Sequence, residues 1–165
     1  MRTHPEQRAI FGAAVAEVGR ADDLAVLDAR DFTGTRTVVD VGGGSGALLQ
    51  AVLAAHPQSS GVLFDQADVV DAVRGRFAAD ERCRLVGGDF FRDPWPDGDL
   101  YLMKSVLHNW SDAQAAELLR NGRRAMAPGS RLLLIERVVP PGDAPHPSKD
   151  MDLFMLVVLG GRERT

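Results

Sequence analysis

The sequence predicts an α/β fold with a doubly wound, mostly parallel sheet, on the strength of three observations. Short β-branched runs alternate with segments of helical periodicity, and the connections between them are short. A glycine-rich turn also joins the first run, 38–41, to the first helical segment. Because parallel strands are joined by crossover helices, this alternation favours helices on both faces of the sheet.

The strands are predicted from apolar runs that are bounded by turn residues or charges. They cover residues 38–41, 61–64, 84–86, 100–103 and 131–139. Apolar residues at helical spacing predict helices at 47–55, 69–79 and 151–159. Residues 140–147 are predicted to be a proline-rich loop, and residues 1–30 contain no strand pattern and are interpreted as one or two helices.

The helix after the fourth strand has clear boundaries in the sequence. Ser111 and Gln114 have the spacing of a capping box, and Pro128-Gly129 ends the helical pattern. We therefore expect this helix to begin immediately after Ser111.

Composition excludes several classes of protein. The chain has 19 Lys and Arg against 23 Asp and Glu, with no basic stripe, so nucleic acid is not expected as a partner. The apolar stretch 153–159 is too short to cross a membrane. A single cysteine, Cys83, excludes an internal disulfide and indicates a reducing, cytoplasmic location. No His and Cys residues have metal-ligand spacing, so no metal ion is expected.

The glycine-rich turn is a candidate ligand site, because glycines let a ligand approach the free N–H groups of the following helix. It contains Gly42, Gly44 and Gly46, and Asp65 follows about 20 residues later at the end of the second strand. This spacing is compatible with the dinucleotide fingerprint, in which the acidic residue binds a ribose hydroxyl.

Charge distinguishes two cofactors at this turn. Asp40 precedes the glycines, Asp89 follows the third strand, and no Lys or Arg occurs from Thr37 to Val73. A pyrophosphate would face like charge there, whereas S-adenosylmethionine carries a sulfonium and an ammonium and no phosphate. The pattern therefore favours S-adenosylmethionine. A nicotinamide dinucleotide remains an open alternative, because helix N-termini can bind phosphates without basic side chains.

Candidate proton-transfer residues follow the fourth strand. Lys104 ends this strand and His108 comes just after it, at the sheet edge where doubly wound folds bind ligands. Glu136 falls in the predicted fifth strand, where a carboxylate needs a partner. That partner is an imidazolium in one interpretation and Arg137 or a neighbouring loop in the other. Glu163, flanked by arginines, carries no signal by itself.

Taken together, these motifs resemble the S-adenosylmethionine-dependent O-methyltransferases of the caffeate and hydroxyindole type, including bacterial polyketide-tailoring members. The resemblance covers nearly the whole chain, in the family's order, and implies a Rossmann-like methyltransferase fold. The residues that carry it are 38–46, Phe64-Asp65, 88–91, 104–112, 136–140 and 160–165.

The resemblance implies a role for each motif in cofactor binding. Asp40 and the glycine turn would hold the methionine end of S-adenosylmethionine, and Asp65 would hold its ribose hydroxyls. Asp89 and Phe90 would contact the adenine, and Lys104 would make a further contact to the cofactor.

The resemblance also implies a mechanism of methyl transfer. His108 matches the family's general base, which takes the proton of a phenolic or similar hydroxyl while the oxygen attacks the sulfonium methyl. Glu136 and Glu163 match the carboxylates that orient this base, and Met155 matches a position that lines the acceptor pocket. The acceptor is then a small aromatic or polyketide-like molecule.

Members of this family are considerably longer than this chain, and their N-terminal helical domain forms an intertwined homodimer. Residues 1–30 are therefore interpreted as the remnant of that domain and residues 31–165 as the cofactor-binding domain. A helix and two strands that complete the family's seven-stranded sheet are expected to be missing, which would leave the fifth strand at an open edge. Three hypotheses remain: an O-methyltransferase, a cofactor-binding fragment without turnover and, remotely, a nicotinamide dehydrogenase.

Overall fold

A computed structural model describes residues 22–165. Residues 1–21, which hold most of the predicted helical remnant, lie outside the described residues. Residues 22–29 are helical and form the described part of helix α1. Val26 of this helix is buried in the same core as Phe32 and Leu49, so α1 packs directly on the α/β domain.

The described residues form a five-stranded parallel sheet with the order β3-β2-β1-β4-β5. From β1 the chain builds outward to β3, then returns to the other side of β1 for β4 and β5. This reversal places the switch point between β1 and β4, and it confirms the predicted doubly wound topology. The strands are β1 Thr37–Val41, β2 Ser60–Asp65, β3 Cys83–Gly87, β4 Leu100–Lys104 and β5 Arg131–Ile135.

In residues 22–165, helices connect the strands except between β3 and β4, where residues 88–99 contain no helix, and there are two short 3-10 turns. Within residues 22–165, no helix combines the length and apolar character needed to cross a bilayer. The predicted capping box is confirmed: the Gln114 N–H donates to Ser111 Oγ, and the Ser111 N–H donates to Gln114 Oε1. The helices are α2 Ala47–Ala55, α3 Ala67–Val73, α4 Asp112–Ala125 and α5 Pro147–Leu159, and the 3-10 turns are Arg74–Phe77 and Leu107–Asn109.

Successive strand residues face two separate cores, as a sheet covered on both faces requires. Val38 of β1 is buried with Leu49 of α2 on one face. Its neighbour Val39 is buried with Leu118 of α4 on the other face. The central strands thus lie between two apolar layers, and the strand ends are left accessible to a ligand.

Strand β5 is shorter than the predicted 131–139. Its last contact with the sheet is the bond from the Ser105 N–H to the Ile135 carbonyl, at 2.9 Å. Val138 instead forms an isolated parallel bridge with Arg164. Glu136 therefore lies just past the carboxyl end of the strand and not inside it. In the sheet of the described residues, β5 is an edge strand.

Two helix boundaries also differ from the prediction. Helix α5 begins at Pro147 and not at 151, because the His146 ring accepts the Ser148 N–H and proline suits the first helical turn. The proline-rich loop is correspondingly shorter. The predicted helix 69–79 runs over Ala67–Val73 and then tightens into the 3-10 turn Arg74–Phe77.

Candidate active site

The glycine turn adopts backbone conformations that favour glycine. Gly42, Gly44 and Gly46 have φ values of 69°, 55° and 71°. At Gly46, the residue before α2, a Cβ would also lie 2.3 Å from Cζ of Phe77. At Gly44 a Cβ would meet nothing within 4 Å. The turn is therefore packed against Phe77 at Gly46 and open at Gly44, where a ligand could approach.

Asp40 is buried beneath this turn. Its Oδ2 has no hydrogen-bond partner in the part of the chain that the structure describes, and a Cβ at Gly43 would lie 2.5 Å from this atom. Burial raises the pKa of Asp40 to about 7, the charges of Asp65 and Asp23 act in the same direction, and the Lys104 ammonium opposes them. A buried acceptor without a donor is a suitable partner for a cationic or N–H-bearing ligand group.

Asp65 lies at the end of β2, beside the glycine turn, as the sequence predicts. Its Oδ2 accepts the Gly44 N–H at 2.9 Å and its Oδ1 accepts the Gln66 N–H at 2.7 Å. Burial raises the pKa of this carboxyl, and these two bonds partly counter that effect. Each carboxylate oxygen keeps one further acceptor position, which is the capacity needed to bind two ligand hydroxyls.

Asp89 and Phe90 follow strand β3 at the same sheet edge. Asp89 accepts the Phe91 N–H at 2.9 Å, and its side chain is 46% exposed. The Phe90 side chain is buried in the core, with its ring centroid 5.3 Å from Phe91 and 6.2 Å from Trp110. Asp89 is thus accessible, whereas most of the Phe90 ring packs inside the protein, and the adenine contact assigned to both stays a prediction.

Lys104, at the end of β4, forms an ion pair with Asp23 of α1. Both side chains are largely buried, at 16% and 9% exposure. The pair lies within electrostatic range of Asp40. The direct cofactor contact assigned to Lys104 stays a prediction, and the structure adds α1 as an element that supports the site.

His108 lies in the 3-10 turn that follows β4, and its partner is Glu163. The distance from His108 Nδ1 to Glu163 Oε1 is 2.9 Å, and the Glu163 side chain is fully buried. The His108 side chain is 13% exposed, so it keeps some contact with solvent. The turn starts from Ser105, whose φ of 53° marks it as the one described residue other than glycine in a left-handed conformation.

Glu136 binds the backbone of this turn. Its Oε1 accepts the Val106 N–H at 3.0 Å and the Leu107 N–H at 2.7 Å. Burial raises the pKa of Glu136, and the nearby His108 charge and these two bonds act against it. Of the two partners considered for Glu136, its hydrogen bonds go to a neighbouring loop, the turn that carries His108. The hydrogen bond to the imidazole is formed by Glu163.

Despite these different partners, the three side chains form one cluster. Ligand atoms of His108, Glu136 and Glu163 all lie within 4.8 Å of one another. An imidazole with two carboxylates is also a donor set that a divalent cation could use, so the absence of a metal stays a prediction. Across the switch point, a Cβ on Gly42 would lie 2.8 Å from Val106 Cγ2, so the glycine turn and the His108 turn are in contact.

Met155 lies in α5 and is buried. Its carbonyl accepts the Gly161 N–H at 3.2 Å, which links α5 to the segment that carries Glu163. The assignment of Met155 to an acceptor pocket stays a prediction.

A separate cavity of about 640 Å³ opens at the opposite edge of the sheet, near the amino ends of β1 and β4. Its walls include Thr37, Asp97, Asp99 and Tyr101, and none of the candidate residues lines it. Ligand sites of doubly wound sheets lie at the carboxyl ends of the strands, so we place the candidate site there and not in this cavity.

Three residues that support the site are missing from the sequence interpretation. Asp23 pairs with Lys104, Arg164 binds the backbone around His108, and Gly161 allows the 160–165 segment to approach that turn. Asp23 falls in a segment without a recognised motif. Arg164 and Gly161 fall in a motif that the resemblance already used, but only Glu163 was assigned a role there.

The whole chain, residues 1–165, matches the model of the O-methyltransferase domain. This chain belongs to that family. The phenazine O-methyltransferase PhzM of Lysobacter antibioticus is 45% identical over 98% of the chain. The O-demethylpuromycin-O-methyltransferase of Streptomyces alboniger is 44% identical over 98% of the chain. The alignments cover 48% and 45% of these relatives, so the chain spans about half the length of the curated relatives it matches.

Solved structures of relatives share the fold. The LaPhzM structure has a TM-score of 0.93 and 45% identity, covering 98% of this chain and 50% of that chain. Human N-acetylserotonin methyltransferase, solved with S-adenosylmethionine, has a TM-score of 0.87 and 34% identity, covering 94% and 45%. NcsB1, solved with S-adenosyl-L-homocysteine and 1,4-dihydroxy-2-naphthoic acid, has a TM-score of 0.88 and 36% identity, covering 99% and 49%.

These findings confirm the predicted resemblance and the methyltransferase fold. Family members use S-adenosylmethionine, and relatives carry it or its demethylated product in their structures. The remote nicotinamide dehydrogenase hypothesis is overturned by the family match over the full chain. Between the O-methyltransferase and the fragment without turnover, the comparisons do not choose.

Proposed function

We propose that this chain provides the cofactor-binding and proton-accepting half of an S-adenosylmethionine-dependent O-methyltransferase. The observation that carries the proposal is His108 Nδ1 at 2.9 Å from the buried Glu163 carboxylate. This pair lies at the switch point of the sheet, and the turn that carries His108 touches the glycine turn. A histidine held by a buried carboxylate beside a ligand-binding turn is suited to general base catalysis.

The residues around the glycine turn fit S-adenosylmethionine. Asp40 offers a buried oxygen without a partner, which suits the ammonium or sulfonium end, and Asp65 keeps free acceptor positions for ribose hydroxyls. No lysine or arginine occurs from Thr37 to Val73, which disfavours a phosphate-bearing ligand. When bound, the cofactor supplies an electrophilic methyl group on a cationic sulfur.

His108 accepts the proton of the acceptor hydroxyl in this proposal. An ionised Glu163 can only accept hydrogen bonds, so His108 Nδ1 must carry the proton that the pair shares. Nε2 then keeps its lone pair and takes the hydroxyl proton as the oxygen becomes nucleophilic. Glu163 stabilises the resulting imidazolium, and Glu136 keeps the turn in place through the Val106 and Leu107 N–H groups.

The acceptor proposed is the phenolic hydroxyl of a small aromatic or polyketide-like molecule. Support comes from NcsB1, whose structure contains 1,4-dihydroxy-2-naphthoic acid, and from the phenazine O-methyltransferase. Met155 is proposed to line the acceptor pocket. For a whole protein of the relatives' length, we propose a cytoplasmic homodimer.

A second candidate function is cofactor binding without turnover. It is favoured by the coverage: the chain spans about half of its relatives, so residues that complete an acceptor pocket can lie outside the aligned half. The cofactor-binding residues named above belong to the chain under both candidates.

Calorimetry and a transfer assay test the proposal together. A folded chain is expected to bind S-adenosylhomocysteine and not NADH, and to transfer labelled methyl groups from S-adenosylmethionine to 1,4-dihydroxy-2-naphthoic acid or a related phenol. Added chelator is expected to leave this transfer unchanged. Binding without transfer to any of these phenols supports the second candidate, and no binding of S-adenosylhomocysteine by a folded chain contradicts both.

A further inference from the structure

The turn that carries His108 needs support from elsewhere in the protein. It is a single 3-10 turn, Leu107–Asn109, which follows the left-handed residue Ser105. A 3-10 turn has poorer hydrogen-bond geometry than an α-helix, so this turn alone is a weak support for a base. Its position must be fixed by groups outside it.

The 160–165 segment supplies much of that support. Three backbone carbonyls, two in the turn and one just after it, accept hydrogen bonds from this segment. Arg164 Nη1 donates to the Leu107 carbonyl at 2.9 Å, the Arg162 N–H to the His108 carbonyl at 2.9 Å, and Arg164 Nη2 to the Trp110 carbonyl at 3.1 Å.

The Arg164 guanidinium is itself held in place. Its Nε and Nη2 donate to Oδ1 of Asp112, the first residue of α4, at 3.3 and 3.1 Å. The planar guanidinium thus joins two carbonyls and a carboxylate, which is a use of its fixed fork of donors that a lysine cannot reproduce. Only 33% of the Arg164 side chain is exposed.

A close backbone approach fixes the same contact. A Cβ on Gly161 would lie 2.0 Å from the His108 carbonyl oxygen and 2.6 Å from the Asn109 carbonyl carbon. Only a residue without a side chain can occupy this position without displacing the turn. The segment therefore lies directly against the backbone of His108, and its Glu163 side chain reaches the imidazole from there.

We propose that Arg164 is a positioning residue for the base. Its guanidinium fixes the Leu107 and Trp110 carbonyls on either side of His108, so that the imidazole meets the carboxylate of the adjacent Glu163. The inference rests on the proposed role of His108 as the base. It assigns to one segment both the docking of the turn and the orientation of its ring.

Arg162 provides a matched control. Its Nη1 pairs with the other oxygen of Asp112 at 3.2 Å, and its side chain is 55% exposed. Both arginines therefore share an acidic partner, but only the Arg164 side chain is bonded to the carbonyls of Leu107 and Trp110. Comparing Arg164→Gln with Arg162→Gln separates the carbonyl contacts from the loss of a positive charge near Asp112.

The test is the imidazole tautomer of His108, read from nitrogen–proton correlation spectra of the histidine-labelled chain and assigned with His108→Gln. The unmutated chain and Arg162→Gln are expected to show a single form protonated at Nδ1. Arg164→Gln and Arg164→Lys are expected to show a mixture of both tautomers. Where methyl transfer is measurable, kcat should fall about 10- to 100-fold in both Arg164 variants, with the KM for S-adenosylmethionine nearly unchanged.

Each outcome bears on the proposal. A single Nδ1-protonated form in a folded Arg164→Lys variant would overturn it, because charge alone would then suffice. If both Arg164 variants unfold, Asp112→Ala decides. It removes the carboxylate that holds the Arg164 guanidinium, so a mixture of both tautomers should appear, and a single Nδ1-protonated form in a folded Asp112→Ala variant would overturn the proposal. The spectra need no turnover, so an inactive chain bears on the proposed function and not on Arg164.

Discussion

Two buried carboxylates, Asp40 and Asp65, lie at the glycine turn. Asp65 uses one position on each oxygen to hold the Gly44 and Gln66 N–H groups, and Asp40 leaves Oδ2 without a partner among the described residues. Burying two acids near each other is costly, and the pKa of both is raised by burial. A cationic ligand would offset this cost.

The first prediction concerns Asp65. Asp65→Ala should weaken S-adenosylhomocysteine binding about tenfold or more, because a charge-assisted bond to a ribose hydroxyl is worth roughly 1.5 to 3 kcal/mol. Asp97→Ala, a carboxylate loss at the opposite sheet edge, is the matched control and should leave the affinity unchanged. Calorimetry measures both. An unaltered affinity in Asp65→Ala would remove this residue from the site.

The second prediction is a pH dependence that comes from Asp40. Its pKa rises from an ordinary 3.8 to about 7 in the folded state, so the folded protein holds a proton that the unfolded chain has released. The free energy of unfolding should therefore fall as the pH rises through this window. Asp40→Asn should make that decline shallower in urea unfolding at several pH values. An equally steep decline in the variant would show that Asp40 does not titrate this way.

At the scale of elements, the glycine turn packs against the 3-10 turn that carries Phe77. Gly46 has a φ of 71°, and a Cβ there would meet the Phe77 ring at 2.3 Å. Gly129 has a φ of 88°, but nothing lies within 4 Å of its Cβ position. The two glycines share a positive φ and differ in packing.

The third prediction uses this difference. Gly129→Ala should cost about 1 to 2 kcal/mol, the usual penalty of a left-handed backbone for a residue with a side chain. Gly46→Ala should cost clearly more, because it adds a steric clash with Phe77. Denaturant unfolding of both variants checks this. Equal losses of unfolding free energy in the two variants would mean that Phe77 moves aside freely and that its contact with Gly46 does not constrain the turn.

Local rules predicted most elements because their signals lie within a few residues. The capping box of Ser111 and Gln114 fixed the start of α4, and the glycines fixed the turn before α2. The predicted start of α5 was wrong because the helix is capped by the ring of His146, and histidine is not among the usual capping residues. The predicted end of β5 was wrong because Val138 lies outside the sheet and forms a bridge with Arg164, a residue far away in the sequence.

Sheet topology predicts which residues lie at the same edge of the sheet, but not which of them form hydrogen bonds with each other. Topology brought His108 and Glu136 to one edge of the sheet, because both follow neighbouring parallel strands. The hydrogen-bond partners of the two glutamates could be identified only from the structure. Glu136 accepts the Val106 and Leu107 N–H groups, and Glu163 bonds to the imidazole. The family resemblance, and not spacing, was what singled out Glu163.

At the scale of the whole molecule, helix α5 presents an apolar surface. Val157 is 82% exposed and Leu153 is 63% exposed, and Leu156, Phe154 and Val158 are also accessible. Edge strand β5 adds unpaired backbone groups in the sheet of the described residues. Exposed apolar patches and open edges promote self-association.

The fourth prediction is that this chain associates at tens of micromolar and that Val157→Lys reduces the association. Ala72→Lys, an equal charge change on the exposed side of α3, should leave it unaltered. Light scattering at several concentrations measures both. A monodisperse monomer of the unmutated chain would show that the apolar face of α5 is tolerated in water.

The measurement that bears most directly on the central claim is methyl transfer by His108→Gln, compared with S-adenosylhomocysteine binding by the same variant. Removing a positioned base should lower turnover roughly 100-fold or more, with cofactor affinity nearly intact. Glu163→Gln should cost less, and the two losses should be strongly non-additive, because both act through one imidazole. Transfer at the full rate by His108→Gln would contradict the account.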